Sequence, residues 1–199
     1  MTMADKTGKK FEKSLIAAGF GGQGLLLLGQ LVAYTGMAEE RNVSWIPSYG
    51  PEMRGGTANC CVIVSDNEIG APVVSSADAI IVMNQPSFAK FKDDVKPNGI
   101  LLYNSDLIKL QPGDIRPDIK AVTIPANTIA TEIGSDKVAN IVMLGALVEA
   151  AGIVGDKACA ETIKKKLGAR KPEFLTMNMA AYERGKKTVR TLASLEDMA

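Results

Sequence analysis

Gly19-Phe20-Gly21-Gly22-Gln23-Gly24 places four glycines within six residues. An apolar stretch, Ser14-Leu15-Ile16-Ala17-Ala18, precedes it, and Leu25-Leu26-Leu27-Leu28 comes after it. This pattern predicts a strand, a tight turn and a helix. Glycine adopts positive φ and lets a ligand or a second backbone approach closely. Amides at the start of the helix would point into the turn, beside the positive end of the helix dipole. That chemistry suits a phosphate or a carboxylate. A purely structural turn is the alternative, since glycines also permit close helix–strand packing.

Gly19, Gly21 and Gly24 also fit the G-x-G-x-x-G dinucleotide fingerprint, which makes the first turn Rossmann-like. That reading needs an acidic residue at the end of the second strand to hold a ribose. Glu39 and Glu40 have roughly the right offset but fall before the expected second strand, Asn42 to Pro47. NAD binding is therefore disfavoured.

The second strand leads into Ser48-Tyr49-Gly50-Pro51-Glu52-Met53-Arg54-Gly55-Gly56. Tyr49-Gly50-Pro51 is one turn signal and Gly55-Gly56 another. In an extended loop Glu52 and Arg54 project to the same side. They could pair locally, or Arg54 could offer its planar fork to a phosphate or carboxylate. Both glycine loops should lie after strands at one end of the sheet, the crevice where open α/β sheets bind ligands.

Histidine is absent. This removes Ser-His-Asp and Cys-His catalysis and the commonest metal ligand. The cysteines are Cys60, Cys61 and Cys159. Adjacent Cys60 and Cys61 on a strand point to opposite faces. No C-x-x-C occurs, so no iron–sulfur or zinc signature is present. Reduced, buried thiols are expected, and a self-sufficient catalyst is not.

These groups need a scaffold. Strands are expected at Lys13–Ala18, Val43–Pro47, Thr57–Ser65, Ala79–Met83, Ile100–Tyr103 and Ala121–Ile124. Helices are expected at Gln23–Met37, which should be buried, and at Pro86–Asp94, where Phe88 and Phe91 lie three apart. Pro97-Asn98-Gly99 reads as a turn before the fifth strand. The chain then turns helical over Asn127–Ile133, Val138–Ala151, Asp156–Leu167 and Glu173–Leu195, the last preceded by Pro172. The expected fold is α/β: one domain, a mostly parallel sheet covered by helices, and a helical C-terminal region.

At 199 residues with 46% hydrophobic and 23% charged, the chain is an ordinary globular domain in composition. A net charge of +1 argues against a general nucleic-acid binder. No apolar run reaches the roughly 18 residues a membrane span needs. Residues 1–10 read as a polar, flexible leader without a signal core, and a cytoplasmic location is expected. Between Lys157 and Arg190 lie ten Lys/Arg and three Asp/Glu, read as a solvated helix face in preference to a surface for phosphates or an acidic partner. Met177 and Met179 are read as packing or interface residues.

"GFGGQG", then "SYGPEMRGGTAN" and an aliphatic strand, together resemble the gamma subunit of 2-oxoacid:ferredoxin oxidoreductases. The similarity continues through "SSADAIIVMNQPSF", "KPNGILLYNSDLI" and "NIVMLGALVEA", roughly from Ser14 to Ala151. "SYGPEMRGG" is more like the 2-oxoglutarate or branched-chain type than the pyruvate type. The resemblance implies a gamma-type domain over residues 11–199. It also implies a complex that decarboxylates a 2-oxoacid on thiamine diphosphate with magnesium, passes electrons through iron–sulfur clusters to ferredoxin, and forms an acyl-CoA. Those cofactors are held mainly by other subunits: alpha and beta, with delta as a further candidate partner. CoA is then the candidate ligand of Gly19, Gly21, Gly22, Gln23 and Gly24. Tyr49, Glu52, Arg54, Gly55 and Gly56 complete the candidate site, with Arg54 as the side-chain donor. Three alternatives stay open: a structural subunit that binds no small molecule, the small subunit of an indolepyruvate oxidoreductase, and a free-standing NAD-dependent oxidoreductase.

Overall fold

A computed structural model describes residues 10–49, 56–168 and 174–196. Strand β1 (Glu12–Phe20) leads into helix α1 (Leu25–Ala38), and then come β2 (Asn42–Tyr49), β3 (Thr57–Ser65) and β4 (Ala77–Val82). Helix α2 (Gln85–Phe91) and one 3₁₀ turn (Lys92–Asp94) precede β5 (Val95–Asn104) and β6 (Lys120–Ile124). Helices α3 (Ala126–Ile133), α4 (Ala139–Ala151), α5 (Asp156–Gly168) and α6 (Leu175–Glu196) complete the chain. The expected start of the last helix at Glu173 lies outside the described residues, with the rest of 169–173 including Pro172, and so do residues 1–9 of the expected leader.

The six strands form one sheet in the order β2-β3-β1-β4-β5-β6. β1, β4, β5 and β6 pair in parallel, whereas β3 runs antiparallel to both of its neighbours. The mostly parallel expectation therefore holds, with one inverted strand between β2 and β1. Parallel strands buried on both faces read as continuous apolar runs. Leu15, Ile16, Ala17 and Ala18 of β1, and Ile80, Ile81 and Val82 of β4, are all buried.

Helices cover the two faces unequally. Leu15, Cys60, Val62 and Ile81 face the layer that holds α1, α4, α5 and α6. Ile16, Ile80, Val82 and Leu101 face α2 through Phe88. α1 leaves β1 on the first face, and α2 leaves β4 on the second. β1 and β4 are neighbours, so their carboxyl ends form a topological switch point, the usual ligand crevice of this architecture.

The expected turn at Pro97-Asn98-Gly99 is corrected: these residues lie inside β5 as an irregularity. Ala77 pairs with Val95 but Ala79 with Ile100, so the intervening residues bulge. Asn98 takes φ 61° and donates its amide to Asp118 O at 2.7 Å. Beside the bulge, the Asp78 carboxylate accepts Lys96 Nζ at 2.9 Å and both Ser14 N and Ser14 Oγ, at 2.8 and 2.7 Å. Burial pushes this carboxyl up, but those donors outweigh it and hold Asp78 below its ordinary value.

Helix α4 is buried along nearly its whole length because α6 lies directly on it. Missing side chains permit this. A Cβ at Gly145 would strike the carbonyl of Tyr182, and one at Gly185 would strike that of Val142. Tyr182, between these contacts, is fully buried. Met177 and Met179 pack against the same core, so their packing role is borne out.

Three members of the basic run, Arg184, Lys186 and Arg190, pair within the chain. Arg184 pairs with Glu132 at 2.6 Å and Arg190 with Glu149 at 2.7 Å. Lys186, almost fully buried, pairs with Asp156 at 2.7 Å and Glu183 at 3.2 Å. No helix among the described residues is long and apolar enough to cross a membrane.

The α4–α6 crossing can be tested directly. Gly185→Ala gains about 1 kcal/mol of helix propensity yet should lose about 1–3 kcal/mol net, because α6 must lift from α4; urea unfolding measures the sign, and a net gain would contradict the crossing. Asp156 gives a second test. Burial raises its carboxyl, but Lys186 Nζ and Tyr182 Oη outweigh that and hold it below the ordinary 3.8. A folded value below the unfolded one stabilises the fold above the unfolded value, and the gain disappears as pH falls through the folded value. Unfolding free energy should therefore fall as pH drops from about 5 to below 3.8. Lys186→Met should flatten that slope in acid-unfolding curves; an unchanged slope would remove the pair from the account.

Candidate functional site: the glycine turn at the switch point

β1 ends at Phe20, whose carbonyl accepts the Gln23 amide at 3.2 Å and closes the turn. Gly22 takes φ 95° and Gly24 φ 75°, conformations that favour glycine. Gly24 caps α1 without a side-chain bond, and the first turn of α1 carries no acidic residue. The positive end of the helix dipole is thus left without a compensating carboxylate of its own.

The four glycines divide into two pairs with different duties. Gly19 and Gly24 face inward. A Cβ at Gly19 would sit 2.6 Å from Gln23 Oε1 and 3.1 Å from Met83 Cβ. A Cβ at Gly24 would sit 2.5 Å from Asn140 Nδ2. Gly21 and Gly22 are exposed, and a Cβ at Gly22 would meet nothing within 4 Å. The inner pair explains close packing; the outer pair leaves an open arc.

Two amide side chains fill the space that the inner pair leaves. Gln23 Oε1 accepts Phe20 N at 2.7 Å and Asn84 Nδ2 at 3.3 Å, while Gln23 Nε2 donates to Met83 O at 3.3 Å. Gln23 therefore lies across the switch point, from the end of β1 to the end of β4. Asn84 also caps α2, accepting Ser87 N at 2.9 Å. On the other side Asn140, at the start of α4, donates Nδ2 to Gly24 O at 3.0 Å. Its Oδ1 is buried with no partner.

Residue order alone does not single out Asn84 or Asn140. Asn84 before Gln85-Pro86 is a legible helix cap, although its reach to Gln23 is not. Asn140 lies 116 residues from Gly24, and no local signal links them.

Several donors of the turn are used internally. Phe20 N goes to Gln23, Gly21 N to Gly56 O at 3.0 Å, and Gln23 N to Phe20 O. The amides of Gly22, Gly24 and Leu25 find no acceptor among the described residues. Those three, with the equally unpaired amides of Leu26 and Leu27, are donors available to an anion at the helix start.

The strand ends that bound the second motif lie beside the first. Phe20 pairs with Thr57 and Tyr49 with Ala58, so the ends of β1 and β2 flank the start of β3. The strand ends that bound the two glycine loops share one end of the sheet. Gly56 touches the first turn through its carbonyl, and Tyr49 closes β2. Glu52, Arg54 and Gly55 lie outside the described residues, and with them the Glu52–Arg54 pairing.

Other chemistry is directed elsewhere. Glu39 comes directly after the last residue of α1, about 20 Å along the helix from the turn. It accepts Gly155 N at 2.7 Å and pairs with Arg41 at 3.3 Å. It is therefore not at a ribose position. Cys60 and Cys61 do face opposite sides of the sheet. Burial pushes the thiol of Cys60 up to about 12 and that of Cys159 to about 11. Cys61 is only half-buried, which corrects the expectation that all three thiols are buried. A recess of about 330 Å³ lies along α6 among Arg184, Lys187, Thr188, Thr191 and Leu192, none of which belongs to the turn. Among the described residues no group of three or more His, Cys, Asp or Glu could hold a metal.

Residues 14–188 match the family described as pyruvate ferredoxin/flavodoxin oxidoreductase. The chain is 40% identical over 175 residues to ketoisovalerate oxidoreductase subunit VorA of Methanothermobacter thermautotrophicus, a match covering 87% of this chain and 35% of that one. It thus spans about a third of the length of that relative. The structure resembles the gamma subunit of a keto/oxoacid ferredoxin oxidoreductase from Geobacter sulfurreducens, with TM-score 0.76 and 30% identity, covering 90% of this chain and 99% of that one. It also resembles the 2-oxoglutarate:ferredoxin oxidoreductase of Magnetococcus marinus, solved with 2-oxoglutarate, coenzyme A and succinyl-CoA bound. There the TM-score is 0.81 and the identity 25%, over 92% of this chain and 32% of that one.

Proposed function

The chain belongs to the pyruvate ferredoxin/flavodoxin oxidoreductase family, and from that membership we propose that it is the gamma subunit of a 2-oxoacid:ferredoxin oxidoreductase of the 2-oxoglutarate or branched-chain type. The complex would oxidise a 2-oxoacid to an acyl-CoA and CO2 and reduce ferredoxin. Thiamine diphosphate, when bound in the complex, supplies the electron sink for decarboxylation. Thiamine diphosphate and the clusters would be held mainly by the other subunits.

Its own task would be to bind and orient coenzyme A. The observation that carries this is the open space at Gly22 together with the amides of Gly22, Gly24 and Leu25, which have no acceptor among the described residues and lie at the start of a 14-residue helix. A phosphate of CoA there would accept from those amides and meet the positive end of the dipole. Arg54 would add a charge-assisted donor from the neighbouring loop. The Magnetococcus relative binds coenzyme A, which supports this choice of ligand.

The length comparison supports the proposed partners. A relative that this chain matches over only 35% of its length carries further sequence in the same polypeptide. In the system proposed here separate alpha and beta subunits would supply that remainder, with delta as a further component. Ferredoxin would meet the complex through those subunits. The cytoplasm is the proposed location.

The isolated chain, given thiamine diphosphate, Mg²⁺, CoA, a 2-oxoacid and ferredoxin, should make no acyl-CoA; sustained turnover would defeat the subunit reading. In the reconstituted complex Arg54→Ala should weaken CoA by about 1.5–3 kcal/mol, or about 10- to 150-fold. Gly22→Val should raise the CoA requirement in the same direction, and both variants should still assemble. Steady-state kinetics with CoA varied at saturating 2-oxoacid measures this. Loss of assembly in both would instead favour a structural subunit, with the two loops buried against partners.

A further inference from the structure

Building on the reading that the open arc binds a CoA phosphate, we infer that Gln23 is a positioning residue: its side chain fixes the turn so that the neighbouring amides converge on the ligand. Gln23 sits between the exposed Gly22 and the capping Gly24, yet its amide turns inward. An amide oxygen accepts two hydrogen bonds and an amide nitrogen donates two. Gln23 Oε1 spends both of its sites, on Phe20 N at 2.7 Å and Asn84 Nδ2 at 3.3 Å. Gln23 Nε2 spends one, on Met83 O at 3.3 Å. The side chain thus ties the last residue of β1 to the residues just beyond β4.

The rest of the local structure accommodates that tie. Gly19 has no Cβ where one would lie 2.6 Å from Gln23 Oε1. Met83 N donates to Ala18 O at 3.0 Å, so the two strand ends are already in register where Gln23 bridges them. Asn84 holds Gln23 with one end of its amide and caps α2 with the other. It is 3% exposed, so it acts on the arc only through Gln23. By occupying Phe20 N, Gln23 also removes a competing donor, which leaves the anion to the amides of Gly22, Gly24 and Leu25.

Three variants in the reconstituted complex test this, with CoA as the varied substrate. Gln23→Met keeps the length of the side chain and removes every bond. Asn84→Ser keeps a cap for α2 and removes the donor to Gln23. Gly22→Val reports on the arc itself. Gln23→Met should raise KM for CoA about 10-fold and Asn84→Ser about threefold, with the loss on KM and not on kcat at saturating CoA. Hydrogen exchange across residues 19–25 should quicken in both. A wild-type KM in Gln23→Met overturns the inference, and so does loss of assembly, which would make Gln23 part of the fold alone. An effect in Gln23→Met without one in Asn84→Ser would mean that Gln23 touches the ligand directly, which also overturns it. If Gly22→Val raises KM while Gln23→Met does not, the inference fails and the CoA reading stands. If Gly22→Val leaves KM unchanged, the CoA reading fails and takes the inference with it.

Discussion

Helix α4 can be buried on the sheet and under α6 at once only because Gly145 and Gly185 let two backbones meet. That crossing sets the depth at which α4 lies. Depth in turn places Asn140, in the first turn of α4, against Gly24 O at 3.0 Å. From the other side Gln23 bridges the ends of β1 and β4. The glycine turn is therefore held by elements far apart in sequence, and its shape is a property of the whole domain. Each close approach excludes even one methyl group, so the arrangement tolerates little substitution.

The division of the glycines gives the turn its chemistry. Gly19 and Gly24 admit two amide side chains that lock the backbone from within. Gly22, at φ 95°, bends the chain outward and leaves room above it. A locked backbone holds its amides in place before a ligand arrives, which lowers the ordering cost of binding. The site offers backbone donors and a helix dipole, and the chain has no histidine. Such a site is suited to holding an anion, as proposed for CoA. It does not by itself carry acid–base chemistry, which fits one subunit of a larger catalyst.

Much of this is legible in residue order. Thr57–Ser65 is a strand with the bounds expected, because Cys, Val and Ile fill it and Asp66-Asn67 ends it. The first strand, turn and buried helix are dictated by apolar runs on either side of the glycines. Pro97-Asn98-Gly99 misleads because local turn chemistry is the same in a turn and in a bulge; pairing of β5 with β4 decides between them. The inverted direction of β3 has no local signal, since strand direction is set by partners. Asn140 and the inward duty of Gln23 depend on contacts across 116 and 60 residues, which no spacing rule reaches.

In the function proposed here the arc at Gly22 receives a phosphate of coenzyme A in the assembled enzyme. The most direct measurement is a structure of the complete complex with CoA bound, at a resolution that places phosphate oxygens. The account predicts a CoA phosphate within hydrogen-bond distance of the Gly22, Gly24 and Leu25 amides, with Gln23 still turned inward to Phe20 and Met83. CoA held elsewhere, with Gly21 and Gly22 packed against a partner subunit, would contradict it.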